Sequence, residues 1–486
     1  MRIFSMKAYV RKALLFCISL IICAGAKETI YVNVNATGNN SGTSWDNAFT
    51  QLQSACNMVN GSFEDCDILV AEGTYYPSEN NPDVSFGFES NNIRNCVIQL
   101  FGGYYKNGII WERDFNNHKT ILSGDIDKND VIQTDSTWVK NGTNSKCIFI
   151  IGGTYKGKIV LNGFNFTRGY GGYSNDGAAI WCKNSGTQII NCNFYNNSAA
   201  STGGAVYNIS DNIYFQDSYF GRNVANEGGA IYSRCTTAVI NRCTFYKDSA
   251  SDGGAIRIHC DTLKIDSGCT FERCKSYSYG GAIYAELKNI KIKGSDFKFN
   301  YSGLEGGCLK VMSLFTSIDN CKFTNSSSFT GGAINNQSHY FELTNSKLQY
   351  DTSYNNAGAV FNYSITASIK SDTFENNKAK VCGGAVFNGS DGLINDCIFK
   401  KNSADSSGGA FYGGGDTIDL IFRKCKILDN IASNGGGILI DKGHSTIDSC
   451  IFENDTAKNK GGAIYIFYNK DNNRTSKVVV SKIISV

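Results

Sequence analysis

The sequence of 486 residues contains only two prolines, Pro77 and Pro82, although it contains 52 glycines. Proline has no backbone N–H and cannot donate a hydrogen bond within a sheet. The long stretch after Pro82 therefore suits a structure in which nearly every N–H takes part in one continuous ladder. It argues against proline-rich linkers between separate domains.

Long apolar runs are also scarce. One predominantly apolar run of twelve residues covers 13–24, follows four basic residues and precedes the small residues of 24–26. A membrane-spanning helix needs about 20 apolar residues. The order of these parts therefore predicts a secretory signal peptide at 1–26 rather than a membrane anchor.

The sequence also lacks an excess of positive or negative charge. The whole chain carries a net charge of +3, and removal of the four basic residues of the signal peptide leaves −1. A basic excess would be needed to attract nucleic acid or an anionic membrane. We expect a secreted or extracellular protein, or one associated with a cell surface, with no nucleic-acid partner and no transmembrane segment in the mature chain.

A tetrapeptide of the form Gly-Gly-Ala-Ile, here called the quartet, recurs twelve times in exact or variant form at intervals of 25 to 27 residues. Self-similarity with such a period is typical of a solenoid, in which each repeat adds one coil. The copies begin at Gly177, Gly203, Gly228, Gly253, Gly280, Gly306, Gly331, Ala357, Gly383, Gly408, Gly435 and Gly461.

A second motif, Cys-x-Phe-x-x-Asn, follows the quartets in whole or in part, as at Cys192, Phe194 and Asn197. Each repeat then holds about three short strand-like runs and no helical spacing. A propeller blade would need about 40 residues. The repeat predicts an all-β, right-handed, single-stranded parallel β-helix of about a dozen or more coils. We assign 27–160 to an N-terminal cap with a short helix and the first coils, and 161–486 to the repeats.

The fourth quartet residue is apolar in every copy, so it is predicted to line the interior. Strand alternation turns the next residue outward; we call these twelve positions the outer row. We predict that its aromatic members are exposed and bind glycans or proteins, the alternative being that they pack on their neighbours to stabilise one face. They are Trp181, Tyr207, Tyr232, Tyr284, Phe361, Phe387, Tyr412 and Tyr465.

Cysteine and asparagine have two predicted roles each. Cysteines of the second motif are expected to be buried free thiols, because in-register neighbours are poorly placed for bridging. Cys56 and Cys66 are the disulfide candidate. Asparagines of the second motif are expected to bond from coil to coil at turns. Asn-x-Ser/Thr sequons arise easily in a chain rich in Asn and Ser, but several are glycosylation candidates: Asn35, Asn60, Asn141, Asn208, Asn300, Asn388 and Asn454.

Patterns that indicate catalysis are sparse. The four histidines lie in separate segments, and no Cys-x-x-Cys or His pair occurs. We therefore expect no metal, no cofactor and no catalytic residue.

The quartets and the Phe-x-x-Asn motifs together resemble the polymorphic outer membrane protein family first defined in chlamydiae. The resemblance covers roughly residues 160–466 and implies a β-helix that acts in adhesion at a cell surface. The C-terminal transporter barrel of the chlamydial members has no counterpart in the sequence, which places their mode of anchoring in doubt here.

The favoured function is a non-enzymatic, adhesin-like protein that binds extracellular glycans or host and cell-surface proteins. The alternative is a polysaccharide lyase or glycoside hydrolase on a β-helix scaffold. Such an enzyme would need two or three carboxylates and a basic residue that converge in one groove.

Overall fold

The computed structural model describes residues 27–59, 64–88, 96–133, 138–152, 157–172, 174–415, 418–467, 478–481 and 484–485. Within them, strands pair in parallel with the equivalent strands one repeat later. The predicted parallel β-helix is confirmed, with one short helix, α1 (Leu52–Val59), near the N-terminus of the described chain. The signal peptide predicted at 1–26 lies outside the described residues. No helix in these ranges is long and apolar enough to span a bilayer.

The largest stack, sheet A, contains 27 strands and includes one antiparallel hairpin, Val97–Asn107 with Ile110–Arg113. Its strands are Glu28–Val32, Cys66–Ala71, Phe86–Phe88, Val97–Asn107, Ile110–Arg113, Phe149–Ile151, Lys158–Asn162, Ile180–Cys182, Thr187–Ile190, Val206–Asn208, Asn212–Gln216, Ile231–Asn241, Ile256–Ile265, Ile283–Lys293, Leu309–Asp319, Ile334–Asn336, Tyr340–Thr344, Val360–Asn362, Thr366–Lys370, Val386–Asn388, Asp391–Asn395, Phe411–Gly414, Asp419–Arg423, Ile438–Asp441, His444–Asp448, Ile464–Phe467 and Val478–Ser481.

Sheet B carries the second motif and has 15 strands. They are Gly73–Tyr75, Thr120–Ser123, Phe164–Thr167, Asn193–Tyr195, Tyr219–Gly221, Thr244–Tyr246, Thr270–Glu272, Asp296–Lys298, Lys322–Thr324, Lys347–Gln349, Thr373–Glu375, Ile398–Lys400, Lys426–Leu428, Ile451–Glu453 and Ile484–Ser485.

Sheet C precedes the quartets and has nine strands, with two further parallel strands in the earlier coils and one separate antiparallel pair. The nine are Ser249–Asp252, Lys275–Tyr279, Tyr301–Ser302, Ser327–Ser328, Thr352–Ser353, Lys378–Ala379, Ser403–Ala404, Ile431–Asn434 and Thr456–Lys460. The further strands are Tyr170–Gly171 and Ser198–Ala199, and the pair is Val131–Ile132 with Trp138–Val139.

Each regular coil turns at three corners, and each corner has a residue in the left-handed region. In one coil these are Arg242 (φ 49°), Lys247 (φ 57°) and Gly253 (φ 63°). Side chains larger than glycine occupy this region at a cost. Phe299 and Tyr350 nevertheless adopt φ values of 56° and 57° at the second corner. The stacking of whole coils therefore overrides the local preference of single residues.

The two glycines of the quartet are required for different reasons. The first, such as Gly253, supplies the left-handed corner. The second, such as Gly254, has no room for a side chain, because a Cβ there would lie 2.1 Å from the carbonyl oxygen of Gly281 in the next coil. Glycine meets both requirements because it has no side chain.

The interior is a column of stacked side chains. The rings of Phe220 and Phe245 lie 4.8 Å apart and 5° from parallel, and such stacking runs from Phe166 to Phe323. The cysteines two residues earlier are buried free thiols, as predicted. They are Cys192, Cys243, Cys269, Cys321, Cys397, Cys425 and Cys450.

The predicted disulfide between Cys56 and Cys66 is wrong for this structure, in which both are buried free thiols. Both belong to the hydrophobic core, where burial raises the pKa of each thiol to about 12. The bond that forms joins Cys235 and Cys260, with Cα atoms 4.7 Å apart. These two are in-register neighbours on consecutive coils, the arrangement that the sequence analysis judged unfavourable.

Asparagines at the second corner form a buried ladder along the axis. The amide nitrogen of Asn402 donates to Oδ1 of Asn430 and to the carbonyl oxygen of Phe374, both at 3.0 Å. The equivalent bonds of other coils confirm the predicted coil-to-coil role of this residue. Since these polar groups are buried, each bond removes a desolvation cost from the turn.

Asp248 occupies one position of this ladder. Its Oδ1 accepts hydrogen bonds from the backbone N–H of Asn223 at 2.8 Å and from the side-chain amide at 2.9 Å. Its Oδ2 is buried without a partner, where an asparagine would place its amide. Burial raises the pKa of Asp248 to about 8, against the lowering effect of those bonds. The carboxyl group is therefore largely protonated at pH 7.

Asp248→Asn should stabilise the protein at high pH. A raised folded-state pKa contributes stability below the unfolded value of 3.8 that is lost as pH rises through about 8. We expect a gain of about 1–3 kcal/mol at pH 8.5, falling markedly by pH 5, in thermal melts followed by circular dichroism. The matched control is Asp405→Asn, at a half-exposed side chain paired with Lys380. An equal effect of both variants at every pH would contradict the prediction.

Candidate binding groove

The structure brings the outer row together on the outer side of sheet A. Trp181 pairs in register with Tyr207, Tyr207 with Tyr232, and Tyr232 with Arg257. The register continues without a break through every later coil to Tyr465. One coil therefore contributes one side chain to a single line that runs along the axis.

The predicted exposure of this row is wrong. Tyr232 and Tyr284 are each only 8% exposed, and the other six aromatic members are half-buried. The rings cover one another, since Tyr207 and Tyr232 stack with centroids 5.6 Å apart. The quartet corner also approaches the row, because a Cβ on Gly177 would lie 2.8 Å from Cβ of Tyr207. The row is thus the floor of a groove.

The groove has two walls. One consists of the residues just before the quartets, from which Glu227 and Glu305 reach basic members of the row. The other consists of the residues two positions after the row, from which Glu286 accepts a hydrogen bond from the Tyr284 hydroxyl and Asp441 accepts one from Tyr412. The floor is largely apolar and both walls carry carboxylates.

Arg257 is the centre of a charged cluster on the groove floor. Its side chain is 7% exposed, and its guanidinium carbon lies 3.6 Å from the ring centroid of Tyr284. Its Nη2 lies 3.1 Å from Glu286, and its Nε lies 3.6 Å from Glu227. His259 Nδ1 is 3.2 Å from the other oxygen of Glu286. Arginine suits this place because its planar group both stacks and pairs.

The pKa values of the acidic groups and of the histidine in this cluster are shifted in different directions. Burial raises the pKa of Asp252, partly opposed by Arg257. Burial also acts to raise the pKa of Glu286, but the Tyr284 hydroxyl and Arg257 outweigh it and the net pKa is lowered. Burial and the charge of Arg257 lower the pKa of His259. Two carboxyl groups near one cation therefore differ in acidity.

Some polar atoms of the cluster are buried without a hydrogen-bond partner. They are Oδ1 of Asp252 and both Nε and Nη1 of Arg257. Lys310, two coils further on, is better satisfied, because its Nζ lies 2.5 Å from Glu305 and 3.0 Å from Oδ1 of Asn335. The Arg257 cluster is therefore the less saturated of the two charged positions on the floor.

This cluster was not predicted from the sequence, although a signal was present. Arg257 and Lys310 are the two basic residues among the twelve row positions. Glu227 and Glu305 stand directly before quartets, and Glu286 stands two residues after a row position. Reading the walls in the same repeat alignment as the floor would have brought these charges together.

The groove opens near its C-terminal end. Phe361, Phe387 and Tyr412 stack in order with centroids 4.9 Å apart at each step. Beyond them a cleft opens that is lined by polar and apolar side chains of both walls. The lining comprises Ser407, Tyr412, Asn434, Leu439, Asp441, Lys460, Tyr465 and Phe467. Two predicted row residues, Tyr412 and Tyr465, thus border this cleft.

The glycosylation candidates divide by burial. Asn35, Asn141 and Asn454 are exposed, whereas Asn60 lies outside the described residues. Asn208, Asn300 and Asn388 are wrong candidates for the folded chain, because each is at most 1% exposed. Their amides bond within the interior, as Asn300 does to the carbonyl oxygen of Phe271 at 3.0 Å. Over the described ranges, no three His, Cys, Asp or Glu side chains are grouped as metal ligands.

Three segments of the chain match the Chlamydia polymorphic membrane protein repeat. That repeat family matches this chain at residues 191–209, 373–389 and 396–414. Metabotropic glutamate receptor-like protein R of Dictyostelium discoideum is 36% identical over 104 residues, which are 21% of this chain and 6% of that protein. The chain thus spans only a small part of the length of this relative.

Two solved structures overlap with this chain at low similarity. A complex of XylC with xylose has 9% identity and a TM-score of 0.26, over 93% of this chain and 86% of that one. A family 28 exopolygalacturonase of Yersinia enterocolitica has 10% identity and a TM-score of 0.21, over 93% and 78%. Overlaps of this quality carry no argument about function.

Substitutions in the Arg257 cluster should move the pKa of His259 in opposite directions. Arg257→Ala removes a like charge and opens the site, so the pKa should rise. Glu286→Gln removes the carboxylate that favours the charged imidazole, so the pKa of His259 should fall. The imidazole C2 proton of this residue, one of four histidines, reports the value by NMR titration. Arg242→Ala, at an exposed pair with Asp217, should change nothing; a shift of the same sign in both cluster variants would contradict the assignment.

Proposed function

We propose that this chain is a secreted or surface-associated, adhesin-like β-helix protein that binds glycans or cell-surface proteins through the groove. The repeat type, which belongs to a family of surface membrane proteins, supports a place at a cell surface. We propose that the segment 1–26 directs secretion, that the segment 27–160 caps the stack and that 161–486 presents the binding surface.

One observation carries this proposal: three stacked rings lead directly into the C-terminal cleft. The exposed edges of Phe361, Phe387 and Tyr412 offer an apolar surface, and Tyr465 borders the far side. Asp441 accepts from the Tyr412 hydroxyl at 2.8 Å, and its second oxygen has no partner. Aromatic rings beside hydrogen-bonding groups suit a ligand that is apolar on one side and hydroxylated on the other.

Tyr412→Ala and Tyr465→Ala should each weaken binding. We expect about tenfold lower affinity, because one aromatic contact contributes on the order of 1 kcal/mol beyond its buried area. The measurement is binding of the secreted chain to a glycan array and to intact cells. Tyr354→Ala, at a 60% exposed tyrosine in the segment after sheet C strand Thr352–Ser353, is the matched control. Binding that survives both groove variants and is lost in the control would refute this site.

Polysaccharide cleavage is a second candidate, favoured by the convergence of Glu227, Asp252 and Glu286 on Arg257. Glycosidases use two carboxyl groups whose environments separate their pKa values, and the pKa shifts of Asp252 and Glu286 are opposite. It ranks second because Glu286 is already engaged by Tyr284, Arg257 and His259, which leaves it poorly placed to attack or protonate a substrate.

Cleavage would release reducing ends or unsaturated products from neutral or acidic polysaccharides. If the cluster is catalytic, Asp252→Asn and Glu286→Gln should each lower the rate by about 100-fold or more, while Asp405→Asn leaves it unchanged. Purified wild-type protein that releases no product from any polysaccharide it binds would remove this candidate and leave the binding function intact.

A further inference from the structure

A second aromatic feature lies on sheet A, away from the groove. Phe315 and Tyr340 are neighbours in register on consecutive coils, within the later part of their strands. Their rings stack with centroids 4.9 Å apart and 9° from parallel. They are 50% and 51% exposed, so this pair, unlike the outer row, presents ring surface to solvent.

The stack ends abruptly at Tyr340. The next residue in the same register is Thr366, and the residue that precedes Phe315 in the column is Asn289. Consecutive strands of a sheet are about 4.8 Å apart, so a third ring would lie where Thr366 leaves space. A cleft lies over these three strands and is lined by the column of Phe315, Tyr340 and Thr366 and by the column of Ser317, Glu342 and Ser368. One face of an aromatic ring is therefore available for a flat ligand.

The next outward column supplies hydrogen-bonding groups beside the cleft. Ser317 pairs in register with Glu342, and Glu342 with Ser368. Ser317 donates to Glu342 across 3.4 Å, and the hydroxyl of Ser368 has no partner. Glu342 is exposed and forms no ion pair within the described part of the chain. The Ser317 hydroxyl and the Glu342 carboxylate thus lie beside the cleft, whereas the Ser368 hydroxyl is buried.

We propose that the cleft between Tyr340 and Thr366 is a binding subsite for one neutral hexopyranose ring. The apolar face of the sugar would continue the ring stack, and its hydroxyls would bond to Ser317 and Glu342. The unpaired carboxylate disfavours acidic sugars, because a second negative charge would approach it without compensation. The subsite lies on a different column from the groove and does not depend on the proposed groove function.

The probes are the methyl glycosides of glucose, galactose and mannose, and methyl glucuronide as the acidic counterpart. Saturation-transfer NMR on the full mature chain should detect at least one neutral glycoside, with Tyr340→Ala weakening it about tenfold. Tyr340→Phe should retain binding, because the ring face remains. Glu342→Gln should improve methyl glucuronide relative to the neutral sugars.

Thr366→Phe is the most specific test, because it should place a third ring on the stack and abolish binding by filling the cleft. The melting temperature of this variant should be unchanged or higher. Phe329→Ala, which removes an aromatic side chain that is likewise 50% exposed and lies outside this cleft, is the control. Three results would overturn the proposal: no neutral glycoside binds, Thr366→Phe binds as well as the control, or N-acetyltyrosine amide binds in place of every sugar. Tyr412→Ala should have no effect, so failure here is separable from failure of the groove.

Discussion

The coil-to-coil hydrogen bond between main chains is the constraint on which the rest of this structure depends. Each coil must place its strands in register with the coil before it, and three left-handed corners per turn achieve this. Bulky residues such as Phe299 accept the same φ as glycine because a different corner would break the ladder on both sides. Low proline content follows from the same requirement.

The ladder also explains why polar groups are tolerated inside. Asn402, Asn430 and their equivalents bond to one another and to the preceding coil, so burial leaves few of their hydrogen-bonding groups unmet. Asp248 shows the limit of this tolerance, since a carboxylate has no hydrogen to offer to the coil before it unless it takes up a proton. The choice between asparagine and aspartate at this repeat position thus decides whether the ladder contains a buried titratable group.

Much of the fold could be predicted because the repeat reports the same environment twelve times. The inward quartet residue, the buried cysteines and the turn asparagine all lie where the alignment of copies places them. The burial of Tyr232 and Tyr284 could not be predicted from the row alone, because it depends on Gly corners and wall residues from neighbouring coils. The Cys235–Cys260 bond depends on the orientation of the two side chains, which cannot be predicted from the spacing of the cysteines in the sequence.

Function could be predicted less well, and the reason is physical. A site on a solenoid is assembled across coils, so Glu227, Arg257 and Glu286 come together from three repeats while lying far apart in sequence. The same holds for Phe315, Tyr340 and Thr366. Each is an ordinary residue within its own repeat and acquires a role only beside the equivalent positions above and below.

The regular register of the outer row has a consequence for how such a protein changes over evolutionary time. Each coil contributes one floor residue and two wall residues, and it contacts only the coils on either side. Duplication or loss of a 26-residue unit would lengthen or shorten the groove by one fixed step without disturbing its ends. The chain is therefore a linear array of similar modules, in which the length of the groove follows the number of repeats and its chemistry follows single substitutions.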